Sequence, residues 1–166
     1  MNTRHMKATG LMILLSLGLS ACAPVMLAGF AGTAMVASDR RTSGAQLEDE
    51  TIELRGSARI RDALGERAHV NIASYNRQVL LTGEVATERD KQIVEGLLEK
   101  LENVKAVVNE LSIMQPASLS SRSNDLLLSA KVKASLVDSR DLFANSFNVV
   151  AERGTVYVMG RITQRE

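Results

Sequence analysis

Aromatic residues, cysteine and histidine are all scarce in this 166-residue sequence, and each scarcity excludes a class of function. Aromatic residues make up only 3% and tryptophan is absent, which argues against a nucleic-acid groove built from stacked rings. A formal charge of +1 likewise gives no basic excess to attract nucleic acid. The single cysteine, Cys22, excludes an intramolecular disulfide. With only His5 and His69 as histidines, a metal site or a Cys/His catalytic pair has almost no residues to use.

The N-terminal residues have the three parts of an export signal. A basic head at residues 4–7 is followed by an apolar run, Leu11–Leu19, and by small residues before Cys22. This arrangement is typical of a secretory signal peptide. An uncleaved membrane anchor is the alternative, because the uncharged stretch between Lys7 and Asp39 is long enough to span a bilayer. Proline and glycine residues interrupt that stretch, which favours the cleaved signal.

The segment Leu19-Ser20-Ala21-Cys22 is similar to the bacterial lipobox, which directs lipidation of its cysteine. The resemblance implies that Cys22 receives a diacylglyceryl thioether, that the chain is cut before it, and that the new amino group is acylated. Ala23 follows the cysteine, which by resemblance to sorted lipoproteins indicates the outer membrane. Removal of residues 1–21 takes away two basic groups and no acid, so the formal charge changes from +1 to −1.

The rest of the sequence repeats itself. A helical block, Ser57–Leu64, aligns with Ser129–Leu136 at a spacing of 72, and a strand block, Val79–Val85, aligns with Val156–Ile162 at a spacing of 77. We assign the difference to a longer loop in the second copy. Two aligned blocks in the same order indicate a duplicated domain.

Four segments follow from these patterns. We predict a signal peptide at residues 1–21, a lipidated tether rich in Ala, Gly, Ser and Thr at residues 22–46, and domains at residues 47–115 and 123–166.

The apolar pattern of the first copy predicts the order helix, strand, strand, helix, strand, with Val104–Ile113 as the last strand. Thr87 is a suitable N-cap for the second helix, with Glu88 and Asp90 in its first turn, where negative charge suits the helix dipole. Gly83 lies on the apolar face of the second strand, where we expect it to let a helix approach closely.

The second copy begins near Asn124, with Asp125 as its expected helix cap. It contains one helix and two strands before the sequence ends at Glu166. The helix and strand that complete the first copy have no counterpart here, so we expect the second unit to be truncated or incomplete.

A duplicated αββαβ unit behind a lipobox resembles the BON-domain family, and most of all its dual-BON lipoproteins of the outer membrane. The residues that carry the resemblance are Asp39-Arg40, Val79–Gly83, Ser123–Asp125, Lys131–Lys133 and Met159-Gly160. The resemblance implies an α+β fold with two tandem BON domains, each with its helices packed on one face of a small three-stranded sheet. It also implies a periplasm-facing, lipid-anchored protein of the outer membrane that helps maintain membrane integrity and is not an enzyme.

The resemblance further implies that anionic phospholipid is bound by the first helix of the second domain. The matching positions are Leu126, Leu127, Lys131 and Lys133, with Leu127 where relatives can place an aromatic residue. Helical geometry supports this interpretation independently, because three consecutive leucines, 126–128, sweep about 200° around the axis and cannot all face a core. In the first copy, Glu53, Leu54 and Arg55 stand at the expected equivalent of the leucine run.

Each candidate residue also has a simpler, purely structural interpretation. Basic side chains such as Arg59 and Arg61 are most simply a solvated helix face, and His69 is more simply structural than a ligand. Capping and solvation account for Glu84, Glu88 and Asp90 without catalysis. No metal-ligand spacing, Gly-rich phosphate loop or Ser/His/Asp set appears, so no cofactor or metal is predicted. A periplasmic adaptor that binds outer-membrane assembly or division proteins is the alternative function.

Overall fold

Residues 39–139 and 142–165 are described in a computed structural model of the protein, and they belong to one mixed α+β unit. The predicted signal peptide, Cys22 and the tether up to residue 38 lie outside the described residues. The regular elements follow the order α1 (Ser43–Leu64), β1 (Ala68–Tyr75), β2 (Gln78–Val85), α2 (Glu88–Glu99), β3 (Ala106–Asn109), β4 (Ser112–Ile113), α3 (Leu119–Asp138), β5 (Phe147–Glu152) and β6 (Thr155–Gly160). We call residues 39–117 the first half and the described residues from 118 onward the second half.

The first helix starts inside the range predicted as tether. Thr42 caps it, with its hydroxyl accepting the Ala45 N–H at 3.2 Å, and it ends where Gly65 takes a φ of +56°. Its buried residues recur every three or four positions, which gives one stripe toward the sheet: Asp49, Ile52, Gly56, Ile60 and Leu64.

The sheet of the first half is built around β2. β1 pairs with it in antiparallel register through a turn at Asn76-Arg77. β3 and β4 both pair with its other edge in parallel register, so the predicted third strand is present as two short pieces of one edge. The predicted order helix, strand, strand, helix, strand is therefore confirmed for the first half.

Both faces of β2 are buried. Val79, Leu81 and Val85 contribute to the apolar core under α1 and α2, where each fully buried side chain contributes about 1.5–3 kcal/mol. The alternate residues Leu80, Thr82 and Glu84 are buried on the opposite face. Thr87 caps α2 as predicted, accepting the Asp90 N–H at 3.1 Å.

Gly83 has a different role from the one predicted. Its φ is +111°, and a Cβ at this position would overlap the backbone carbonyl oxygen of His69 on β1. The neighbouring strand, and not an approaching helix, therefore requires glycine here. Gly56 on α1 is the residue that lets other side chains approach, because its missing Cβ would lie 2.7 Å from Leu98 Cδ1 and 2.9 Å from Ile72 Cδ1.

The second half contains α3 and the antiparallel hairpin β5–β6. α3 begins at Leu119 and is capped by Ser118, whose hydroxyl accepts the Ser121 N–H at 3.1 Å. The prediction that Asp125 caps this helix is therefore wrong. Asp125 is buried within α3, and its carboxylate accepts the backbone N–H groups of Arg153 at 2.9 Å and Gly154 at 2.8 Å in the hairpin turn.

Residues of the second half bond to the first-half sheet. The Tyr75 hydroxyl donates to the Ser146 carbonyl at 3.0 Å, and Asn71 Nδ2 donates to Glu152 Oε2 at 2.8 Å. Each of these bonds joins β1 to the second half. The sheet of the first half is thus packed between its own helices and the second half.

Candidate functional site

The outward side of α3 carries apolar side chains. Leu126 is 72% exposed and Leu127 is 60% exposed, whereas Leu128 is half-buried. Lys131 and Lys133 are also exposed. Lys131 lies one turn after Leu127, and Lys133 lies two turns after Leu126, so each leucine has a lysine on its own row. We call Leu126, Leu127, Lys131 and Lys133 the α3 outer face.

The buried aspartates of α1 and α3 give the structural register between the two copies. Asp49 accepts the N–H groups of Asn76 at 2.8 Å and Arg77 at 2.7 Å in the β1–β2 turn. Asp125 does the same for the β5–β6 turn, so the two helices correspond at a spacing of 76. The predicted spacing of 72 is therefore wrong by one helical turn.

The corrected register changes which residues match the leucines. Leu126 and Leu127 correspond to Glu50 and Thr51 of α1, and not to the Glu53–Arg55 region. Lys131 corresponds to Arg55, which lies 3.8 Å from Glu102 in an exposed ion pair. The α1 surface is thus polar where the α3 outer face is apolar.

The turn-binding aspartates, Asp49 and Asp125, stabilise the fold, and the sequence patterns did not predict this role. Asp49 also accepts hydrogen bonds from the Ser74 hydroxyl at 2.7 Å and from Arg41 Nη1 at 2.8 Å. A signal for them exists in the sequence, because each copy has an aspartate early in its helix and a two-residue turn after its first strand.

Glu84 is another site where the prediction was wrong. Its side chain is fully buried, and its two oxygens lie 2.8 Å from Arg153 Nη1 and 3.1 Å from His69 Nδ1. Solvation therefore does not account for it, because a buried carboxylate needs partners to offset its desolvation. His69 has the structural role that was predicted, as one of those partners.

Glu88 and Asp90 do not join Glu84 in a paired-carboxylate site. Glu88 is exposed, and the buried Asp90 carboxylate accepts the Thr87 hydroxyl at 2.7 Å as part of the α2 cap. Within the described ranges, no group of three or more His, Cys, Asp and Glu residues is placed to hold a metal ion. Among the helices of the same ranges, none is long and apolar enough to cross a bilayer.

Two arginines fix the start of the described chain to both halves. Arg41 bonds Asp39 and Asp49, each at 2.8 Å, and its guanidinium lies 4.3 Å from the Tyr75 ring centroid. Arg40 stacks over Phe143 at 5.0 Å and donates to the Arg161 carbonyl at 3.3 Å. Burial alone would raise the pKa of Asp39, but the hydrogen bonds and charge of Arg41 lower it below its usual range.

Comparison with known proteins agrees with this architecture. The BON domain family matches residues 49–115 and 124–166. The chain is 31% identical over 168 aligned residues to the "Outer membrane lipoprotein DolP" of Haemophilus influenzae, an alignment that covers 100% of this chain and 87% of that protein.

A second relative is similar over a shorter range. The "21 kDa hemolysin" of Actinobacillus pleuropneumoniae is 28% identical over 127 residues, which cover 75% of this chain and 66% of the relative. These relatives are named as a lipoprotein and a hemolysin, and not as enzymes. The family match and the full-length similarity to DolP lead to one conclusion: the chain belongs to the BON-domain family and is a lipid-anchored lipoprotein of the outer membrane.

Proposed function

We propose that the protein is anchored through Cys22, binds anionic phospholipid through the α3 outer face, and helps maintain outer-membrane integrity. The observation that carries the proposal is the 72% and 60% exposure of Leu126 and Leu127 beside two lysines. Apolar insertion and cationic attraction then act on one short surface. Each basic group near an anionic bilayer contributes on the order of 1 kcal/mol.

In this proposal, residues 47–115 and residues 123–166 are two BON units with different roles. The second unit, which has one helix and two strands among the described residues, makes the lipid contact. The polar residues Glu50 and Thr51 support this division, because they stand in the first unit where the second has leucines.

Vesicle binding tests the lipid contact. The chain from residue 22 with Cys22→Ser, which carries neither the signal nor acyl groups, is mixed with zwitterionic vesicles or with vesicles containing phosphatidylglycerol. We expect binding only to the anionic vesicles, and weakening as salt is added. The combined change Leu127→Glu, Lys131→Glu and Lys133→Glu should weaken binding by more than about tenfold.

A matched control exists on α1. Leu54→Glu with Arg59→Glu and Arg61→Glu makes the same kinds of change on the surface of the other unit, where Leu54 is 73% exposed. This control should leave binding nearly unchanged. Equal losses from both sets would mean that the units share the lipid contact.

A protein-interaction adaptor is the second candidate, favoured by exposed apolar residues away from α3. Val158 on β6 is 51% exposed and Ile162 just after it is 55% exposed. If the α3 variant keeps full vesicle binding, or if the parent chain does not bind vesicles, this alternative replaces the lipid proposal. Its partners would be outer-membrane assembly or division proteins in the periplasm.

Fractionation of cells tests the anchor. Cys22→Ala should release the protein into the soluble periplasm or leave an uncleaved precursor, because the acyl chains supply the membrane affinity. Ala23→Asp is the control, since it keeps the cysteine and should alter only the sorting between membranes. A Cys22→Ala protein that is processed and still found in the outer membrane would contradict the proposal.

The proposal includes no catalytic step. The buried carboxylates at positions 49, 84, 90, 125 and 152 each bond structural partners, which supports a role in folding. His69→Gln should therefore change stability at most. Loss of function in a His69→Gln protein that is folded and correctly located would overturn this part.

A further inference from the structure

A cleft of about 180 Å³ opens beside the α3 outer face. It lies between α3, β1 and β5, and Leu126 belongs to both the cleft and the outer face. The residues that matter here are His69, Asn71, Arg122, Asp125, Leu126 and Glu152. The cleft therefore combines a polar interior with an apolar residue at the edge that faces outward.

Arg122 is the unusual residue of this cleft. It is half-buried, its Nε is enclosed without a hydrogen-bond partner, and its guanidinium forms no ion pair with another residue of the described ranges. Enclosing an unpaired donor of this kind costs free energy, so such groups normally have partners.

The two acids in the cleft are already bound by other donors. Both Asp125 oxygens accept backbone N–H groups of the β5–β6 turn, at 2.9 and 2.8 Å. Glu152 accepts Asn71 Nδ2 at 2.8 Å. Arg122 Nε is therefore the enclosed donor that lacks an acceptor, and a ligand that completes the cleft must supply an oxygen acceptor to the guanidinium group.

We propose that Arg122 binds the phosphate of a glycerophospholipid whose acyl chains lie against Leu126 and Leu127. This inference rests on the proposed lipid-binding function and adds a headgroup site to it. Arg122 and Leu126 are four residues apart on α3, so their side chains are neighbours along the helix. Arginine suits the phosphate because its planar donors match phosphate oxygens in pairs. A single lipid then meets the polar cleft with its phosphate and the outer face with its chains.

Titration with soluble ligands tests the headgroup site. The chain from residue 22 with Cys22→Ser is titrated with monomeric dihexanoyl-phosphatidylglycerol and, separately, with sn-glycerol 3-phosphate, and binding is followed by calorimetry. Arg122→Gln should weaken binding of the short-chain lipid by about tenfold, the value of one charge-assisted hydrogen bond. Arg59→Gln on the exposed surface of α1 is the control and should change nothing.

Each result decides between defined outcomes. Tighter binding of the short-chain lipid than of glycerol 3-phosphate supports a lipid headgroup, whereas equal binding overturns the lipid source in favour of a free phosphate compound. If Arg122→Gln binds the lipid normally, the headgroup site is wrong while vesicle binding by the parent chain still supports the proposed function. If the parent chain binds neither vesicles nor short-chain lipid, both proposals fail.

A folding defect is controlled by a second variant. Arg122→Lys keeps the positive charge but loses the paired donors, so a loss intermediate between the parent and Arg122→Gln is expected. If Arg122→Gln does not fold, as judged by its thermal melt, Arg122→Lys alone decides. Unchanged lipid binding by a folded Arg122→Lys protein would then overturn the inference.

Discussion

The two halves of the molecule share a helix-and-hairpin arrangement but use it for different purposes. In the first half, α1 and α2 each bury one apolar stripe against the sheet, and Leu47 and Leu54 of α1 remain exposed. In the second half, α3 leaves Leu119 and the adjacent pair Leu126 and Leu127 exposed, and the hairpin packs on a sheet face that belongs to the first half. The first half thus supplies most of the buried apolar core, whereas α3 of the second half has two adjacent leucines exposed.

The difference follows from how much each half can bury alone. A two-stranded hairpin is marginally stable by itself, and among the described residues of the second half one helix, α3, covers β5–β6. Its additional contacts come from β1 and β2, through residues such as Tyr75 and Glu84. We therefore expect the second half to lose its structure more readily than the first.

The largest effect is expected at two glycines in equivalent positions, Gly83 of β2 and Gly160 of β6. Gly83→Ala places a Cβ against the β1 backbone at a φ of +111°, and it should lower the free energy of unfolding by about 3–5 kcal/mol. Gly160→Ala has no such φ and meets the Ser146 carbonyl oxygen at 2.8 Å, so about 1–2 kcal/mol is expected. Urea unfolding measures both, and equal losses would contradict the stricter requirement in the first half.

The next effect concerns the contact between the halves. Arg153→Ala leaves the buried Glu84 with only His69, and it should cost about 2–3 kcal/mol after allowance for the partial exposure of the arginine. Arg77→Ala is the matched control, because Arg77 is also 35% exposed but pairs at 3.6 Å with a partly exposed Glu48. The control should cost less than about 1 kcal/mol. Similar losses from both would mean that Glu84 does not couple the halves.

A smaller difference is expected between the turn-binding aspartates. Asp49→Asn removes acceptor capacity from four donors and should lower the free energy of unfolding by about 2 kcal/mol. Asp125→Asn affects two backbone donors and should lower it by about 1 kcal/mol. Amide hydrogen exchange at the two turns would show where each variant loses protection. Faster exchange in the turn that the replaced aspartate does not contact would contradict the assignment.

The smallest effect is a pH dependence that comes from two carboxylates of the first half, Glu53 and Asp39. Burial is the main cause that raises the pKa of Glu53 above 4.5, so its favourable contribution is present below that value and is lost as pH rises through the folded pKa. Arg41 outweighs burial and lowers the pKa of Asp39, whose contribution is present above 3.8 and is lost as pH falls through its folded pKa.

Two amide variants therefore give opposite trends. Relative to the parent chain, Glu53→Gln should be more stable at pH 7 than at pH 3.5, and Asp39→Asn should be less stable at pH 7 than at pH 3.5. Unfolding midpoints across this range measure the trends. Parallel trends for the two variants would show that the signs assigned here are wrong.

Local patterns were sufficient to predict the elements of the first half. Thr87 and the alternation along Val79–Val85 depend on neighbours within a few residues, so the cap and the strands were predictable. Glu84 and Gly83 were misinterpreted because their partners are distant: Arg153 is 69 residues from Glu84, and the Gly83 conformation depends on β1. The pattern of apolar residues also gave the wrong alignment of α1 with α3, because the residues that fix their register are aspartates, Asp49 and Asp125.

The candidate site divides in the same way. That the leucines 126–128 cannot all face a core follows from the rotation per residue of a helix, so part of the α3 outer face was predictable. Which of them are exposed is seen only in the structure. The cleft at Arg122 was not, because it exists only where α3 meets β1 and β5. No pattern within α3 distinguishes this arginine from a solvated one.

The contacts of Arg40 and Arg41 have a mechanical consequence. Any pull from the tether enters the described chain at Asp39, where two stacked guanidinium groups join it to Tyr75 and Phe143. We expect these contacts to share tension between both halves before it reaches the first turn of α1, so that the helix is not unwound from its end. Single-molecule stretching from residue 39 should show a higher rupture force than for Arg40→Ala with Arg41→Ala. A lipoprotein held to a membrane on one side would in this way resist unravelling under load.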